Sequence, residues 1–186
     1  MNSPPNPSAT AAATTQRRSR PQAAFTLLEI VITLAILSLL AALAAPAMSS
    51  WTDNSRAKAA RQQLQALVGE ARQLALQNAQ RAVICRLESN SCATPFAPPL
   101  SLFIDTNAND QLDNDEKLTR VIHLNLPDRI SLTWNSGDLI SFTPTGTARS
   151  GSLRYCDSTN PRHDFRLVIA STARTRIDPD IGCPTP

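Results

Sequence analysis

One twelve-residue stretch concentrates the oxygen ligands of this chain: Asp105-Thr-Asn107-Ala-Asn109-Asp110-Gln111-Leu-Asp113-Asn-Asp115-Glu116. With Asp105 as the first position, Asn107, Asn109 and Asp113 fall at the third, fifth and ninth, and Glu116 at the twelfth. Gln111 supplies a backbone carbonyl at the seventh, which completes the spacing of an EF-hand calcium loop. The sixth position is Asp110 where that loop needs Gly, and no helix pair flanks the segment. A solvated acidic hairpin loop is therefore the expected reading, with calcium the one cofactor that the sequence offers. A second pattern, Ser171-Thr-Ala173-Arg174-Thr-Arg176, would put Arg174 and Arg176 on one face of a strand, where two guanidinium groups could grip adjacent phosphates. A solvated basic edge is the commoner outcome for such a pair. Arg149, Arg154, Arg162 and Arg166 add positive charge nearby, partly offset by Asp157 and Asp164.

Catalysis finds little to work with. His123 and His163 stand 40 positions apart, His123 in an alternating strand pattern and His163 in a turn where Asp164 could hydrogen-bond it. There is no nucleophile-elbow serine and no glycine-rich phosphate loop. Cys85, Cys92, Cys156 and Cys183 show no CxxC spacing, so a structural zinc site is not indicated. Four dispersed cysteines fit two disulfides in an oxidising compartment, and spacing alone leaves three connectivities open. Local pairing, Cys85 with Cys92 and Cys156 with Cys183, is expected because it would tie a strand end to its loop and a late strand to the carboxyl-terminal tail. Free buried thiols are the alternative.

These residues need elements to position them. The chain has 186 residues, 42% apolar and 18% charged, enough for one folded domain. With Arg17, Arg18 and Arg20 of the amino-terminal segment set aside, the 18 basic residues fall to 15, equal to the 15 acids, so global basicity says little about partners. Residues 1–24 are rich in Pro, Ser, Thr and Ala and read as a leader. Between Glu29 and Asp53 lie 23 uncharged residues. As a helix they would be about 34 Å long, against about 30 Å for a bilayer core. Residues 25–52 are thus expected to form a transmembrane helix with a cytoplasmic start. Residues 53–80 continue it as an amphipathic half, with Leu64, Leu67, Val68, Ala71, Leu74 and Ala75 on one stripe. Strands are expected at 82–88, 100–105, 120–126, 130–134, 139–143, 152–156 and 165–171, giving an antiparallel sheet over that stripe. The expected fold is α+β: a long amino-terminal helix packed on a β-rich domain at 81–186.

Glu29 is costly at the edge of an apolar helix unless it is partnered. Cleavage between Ala24 and Phe25 would place a new α-amino group one turn from it, on the same chain or on a neighbouring subunit. A secretory signal cut after Ala47 is a rival, opposed by the charge of Glu29 inside the apolar region.

The run Ala24-Phe25-Thr26-Leu27-Leu28-Glu29, with the apolar stretch and Pro46 behind it, resembles the prepilin-type processing site of type IV pilins and type II secretion pseudopilins. Ala24 stands where that family usually has Gly. The later segments AVICRLESNSC, LFIDTNANDQLDNDEKLTRV, ISFTPTGTA and LRYCD resemble the GspH/FimT group of minor pseudopilins. The resemblance implies a peptidase that cuts before Phe25 and methylates it, and an assembly role for Glu29. It further implies a single-pass inner-membrane anchor with a periplasmic domain in the pseudopilus of a type II secretion system. Other pseudopilins or minor pilins, the prepilin peptidase/N-methyltransferase and an inner-membrane assembly platform are the implied partners. The alternative is a FimT-type minor type IV pilin that binds DNA during uptake through a Gly-Arg-x-Arg motif, here incomplete because Ala173 replaces the Gly.

Overall fold

The computed structural model describes residues 26–178 and Cys183. Its elements are α1 (Leu27–Asn78), β1 (Arg81–Cys85), β2 (Leu87–Glu88), β3 (Ser91–Cys92), β4 (Leu100–Asp105), β5 (Leu118–Ile122), β6 (Ile130–Trp134), β7 (Leu139–Phe142), β8 (Gly151–Asp157), a 3₁₀ turn (Pro161–His163), β9 (Phe165–Ile169) and β10 (Thr175–Asp178). The chain divides into two compact units, residues 1–45 and 46–186, taken in turn below.

In the first unit Thr26 caps α1: its Oγ1 accepts the Glu29 N–H at 3.2 Å, satisfying one of the donors that a helix start leaves open. Thr26-x-x-Glu29 is the spacing of a capping box. The helix that follows is apolar on all sides, yet Glu29, Thr33 and Ser38 interrupt it. Among the described residues no helix is long and apolar enough to cross a membrane. This overturns the expected membrane-spanning first half at 25–52 and, with it, the single-pass inner-membrane topology. Glu29 puts a charge, and Thr33 and Ser38 put hydroxyls, within the described part of this apolar run.

In the second unit the helix becomes amphipathic. Ala57, Ala60, Leu64, Leu67, Val68, Ala71 and Ala75 are buried, at the three- and four-residue spacing of one helix face. The helix stops at Ala79, whose φ of +49° is the left-handed conformation of a C-terminal cap, and Gln80 N–H bonds back to the Ala75 carbonyl at 3.3 Å.

Two antiparallel four-stranded sheets meet this face where one was expected. Their orders are β5-β4-β1-β7 and β10-β9-β8-β6. The core joins the helix stripe to Ala82, Ile84, Leu100, Leu102, Phe142, Leu153, Tyr155, Phe165 and Leu167 from both sheets. The first sheet is covered on its other side too, where Val83, Cys85 and Phe103 form a smaller cluster under Leu87, Leu112 and Leu139. That explains why β4 is buried at every position, Ser101 and Asp105 included. The second sheet alternates instead: Ile130, Leu132 and Trp134 of β6 face inward while Ser131 and Thr133 face out. Gly151 opens β8 because any Cβ there would lie 2.4 Å from the Trp134 ring. The strand expected at 120–126 is instead Leu118–Ile122, since Leu126 N–H turns back to the Leu124 carbonyl at 2.7 Å and Pro127 has no N–H to give a ladder.

Candidate functional site

Ala24 and Phe25, the expected processing pair, lie outside the described residues, as does the leader at 1–24. Glu29 sits exposed in the first turn of α1, where a carboxylate is favoured by the helix dipole. Around it the apolar side chains are uncovered: Leu27 is 81% exposed, Leu34 60% and Leu39 66%. Ile30, Val31, Ile32, Ile36, Leu37 and Leu40 are exposed as well. At 100° per residue these positions leave no polar face, so the segment has no side adapted to water. Thr33 and Ser38 do not change this, because each hydroxyl is turned onto a carbonyl three residues back.

The acidic loop after β4 closes on itself. Asp105 is fully buried and pairs with Arg81, while its carboxylate accepts the N–H groups of Asn109 (3.3 Å) and Asp110 (3.2 Å). Arg81 also holds Asp110 at 2.7 Å. Asn107 and Asn109 both turn their side-chain amides to Asp113, at 2.8 and 2.9 Å. Glu116 accepts from Thr106 N–H (2.6 Å), Thr106 Oγ1 (2.9 Å) and Asp113 N–H (3.1 Å). The structure thus brings Asn107, Asn109 and Asp113 together and Glu116 onto Thr106, whereas Asp105 faces Arg81. Gln111 uses its N–H on Asn109. Among the described residues the cluster of metal-ligating types is Cys156, Asp164 and Cys183, within 4.8 Å of one another. Both of those sulfurs are spent in a disulfide, so they offer no thiolate.

The cysteines are joined Cys85–Cys92 and Cys156–Cys183, with Cα separations of 5.6 and 5.8 Å. The second bond lies beside an ionic clamp. Asp53 of α1 accepts from Arg56 at 2.9 Å and from Arg129, and Arg129 Nε reaches Asp157 of β8 at 3.4 Å. Burial works to raise the Asp157 carboxyl, but hydrogen bonds from the Thr159 hydroxyl and N–H, with the charge of Arg129, hold it below the ordinary value. Asp164 accepts the Asp157 N–H at 2.7 Å, so it serves that backbone group and not His163. Burial pushes its carboxyl up, helped by the charge of Asp157. Tyr155, stacked on Phe165 at 4.8 Å, is pushed up to about 12 by burial and then by Asp157. His123 is exposed.

The outer face of the second sheet is basic. Its register aligns Arg176, Val168 and Ser152 in one row and Asp178, Arg166, Arg154 and Thr133 in the next. Arg176 lines a shallow basin of about 400 Å³ together with Arg166, Ser150, Ser152 and Asn135. Arg174 is exposed at the turn before β10 and is not part of that lining. Ala173 holds a φ of +57° there, a conformation in which Gly would be unstrained.

Sequence reasoning passed over three of these features: the Thr26 cap, the Asp53–Arg129–Asp157 clamp and the basin. The cap was detectable from Thr three residues before Glu at the head of an apolar run. The clamp and basin join residues far apart in sequence and had no local signal.

Comparison with known proteins bears on the whole arrangement. The family described as "Type II transport protein GspH" matches residues 60–173, and the "Prokaryotic N-terminal methylation motif" matches residues 19–45. No curated protein matches the sequence. Among solved structures, the type IV minor pilin FimU of Pseudomonas aeruginosa is similar at 16% identity and a TM-score of 0.53, covering 69% of this chain and 92% of that one. The minor pseudopilin EpsH from the Type 2 Secretion System of Vibrio cholerae aligns at 15% identity over 66% of this chain and 95% of its own, with a TM-score of 0.46. The FimU likeness shows a pilin-like fold.

Proposed function

Because the chain belongs to the GspH family, the GspH/FimT-like minor pseudopilins and pilins, we propose that it is a minor pseudopilin that enters the pseudopilus of a type II secretion system. The observation that carries this is the largely apolar, uncovered surface of α1 between Leu27 and Leu40, with one carboxylate, Glu29, near its head. Apolar surface of this extent needs cover, and nothing in the described chain supplies it. The helices of neighbouring subunits are the cover that a pilin-like filament offers. In this reading cleavage between Ala24 and Phe25 frees an amino group, and Glu29 pairs with the one on a neighbour. A wrong axial register would leave that carboxylate unpaired among apolar side chains, which sets the position of the incoming subunit. The methylation-motif match over residues 19–45 supports the processing step.

The test is intact mass and filament recovery of the chain expressed with its own peptidase and assembly machinery. A product beginning at methylated Phe25 and recovered with sheared filaments is expected. Glu29→Ala should still be processed and be lost from filaments. A product starting after Ala47, or normal recovery of the Glu29→Ala chain, would overturn the assignment.

A further inference from the structure

We propose that the Asp164 carboxylate guards the Cys156–Cys183 disulfide against reductive opening by thiols, which keeps the end of the chain tied to β8. One oxygen of Asp164 and both sulfurs lie within 4.8 Å of one another. The carboxylate closes the 3₁₀ turn and is 8% exposed, so little water screens its charge. Its Oδ1 accepts the Asp157 N–H at 2.7 Å, and it makes no ion pair among the described residues. Arg129 does not offset it, being shared between Asp53 and Asp157. The charge of Asp157 adds to that of Asp164.

The bond is within reach of a small thiol. A cavity of about 220 Å³ lies beside it, lined by both cysteines with Asp128, Arg129, Ser131 and Ser158. Cys183 is half-buried while Cys156 is 8% exposed, so attack falls on the Cys183 sulfur and expels Cys156. The electron pair of the attacking thiolate forms a bond to Cys183 Sγ, the S–S bond breaks, and its pair leaves on Cys156 Sγ as a thiolate. The second thiol of a dithiol then closes on the mixed disulfide, which frees Cys183 and leaves the reagent oxidised by two electrons. Both cysteine sulfurs take their protons from solvent. A leaving thiolate departs more slowly as the pKa of its thiol rises, and a carboxylate beside a buried sulfur raises it. The attacking thiolate meets the same repulsion.

The other disulfide is protected by different means. Cys85 is fully buried in the small cluster under Leu87, Leu112 and Leu139, and among the described residues no carboxylate comes as close to both Cys85 and Cys92. Packing keeps a reagent out there, whereas charge does so at Cys156–Cys183.

The full chain is purified in detergent and treated with dithiothreitol at pH 8, with timed alkylation and peptide mass spectrometry reading the two bonds separately. Asp164→Asn should open Cys156–Cys183 about tenfold faster and leave the Cys85–Cys92 rate unchanged. Its urea unfolding midpoint should hold or rise, because an amide oxygen still accepts the Asp157 N–H. A residue whose role was only structural would give faster opening together with a lower midpoint. A second measurement needs no variant. Cysteamine carries an ammonium that offsets the carboxylate, so its rate relative to neutral mercaptoethanol should be about threefold higher at Cys156–Cys183 than at Cys85–Cys92. If the midpoint of the variant falls, this preference decides. Opening of Asp164→Asn at the unaltered rate, or equal reagent preference at the two bonds, overturns the guard. Slower opening of the variant overturns it as well, since Asp164 would then be donating a proton to the departing sulfur.

Discussion

Two stretches of α1 are similarly rich in aliphatic side chains and have opposite fates. From Leu64 to Ala75, one face carries Leu64, Leu67, Val68, Ala71 and Ala75, which are 0–2% exposed under the sheets. From Leu27 to Leu40 they occupy every side and lie open. Periodicity is the difference: a stripe identifies a helix whose partner is in the same chain, whereas an all-round apolar surface identifies one whose partner must come from elsewhere. Apolar content alone does not say which.

The sharpest way to break this contrast is truncation on each side of it. Leu64→Ala and Leu67→Ala should each cost about 2–5 kcal/mol in urea unfolding, through lost burial and the cavity left behind. Leu34→Ala should stay within about 0.5 kcal/mol in the same measurement, because it is already exposed. Equal losses on both sides would mean that the first segment is buried within its own chain after all.

The covalent ties come next. Cys156–Cys183 closes 27 positions of chain and Cys85–Cys92 closes seven. In the chain-entropy account their removal should cost about 3.5 and about 2.5 kcal/mol, read from unfolding of the Cys→Ala pairs. Reversal of that order would show that the short loop does more than restrain the unfolded chain.

A pH effect separates the two acids beside the clamp. Asp157 titrates below its ordinary 3.8 in the folded chain, so its stabilisation is full above that pH and is lost as pH falls through the lower folded value. Asp164 titrates above 3.8, so the unfolded chain ionises first as pH rises and neutral pH carries a penalty from it. Asp157→Asn should therefore flatten the acid limb of the stability profile. Asp164→Asn should raise stability at neutral pH, since an amide oxygen still accepts the Asp157 N–H. The smallest expected effect is that of Arg176→Ala, within about 0.5 kcal/mol, because its side chain is exposed and makes no ion pair among the described residues.

Much of this was legible in the residues and some was not. The buried stripe from Leu64 to Ala75 and the strands at 100–105 and 130–134 follow from hydrophobic period and length, and the strand expected at 165–171 is present but ends at Ile169. The division of the strands into two sheets was hidden because pairing joins segments far apart in sequence, and β10 was missed because it is short and half-exposed, with no alternation strong enough to separate it from a turn. Oxygen spacing at 105–116 matched a cation loop, but Arg81, 24 positions upstream of Asp105, turns that first ligand inward, and no local pattern carries such a pairing. The length of apolar sequence after Glu29 suggested a membrane span, whereas among the described residues no helix is long and apolar enough to cross a membrane. Composition measured how apolar the segment is, not what covers it.

The claim that matters most is that the open face of α1 is an interface between subunits. Recovery of the Leu34→Arg, Leu37→Arg chain in sheared filaments, measured beside its urea unfolding, tests it most directly. Unfolding should be unchanged while recovery falls about tenfold or more, since two cations cannot be covered by a neighbour's apolar helix. Recovery equal to that of the unaltered chain would contradict the account.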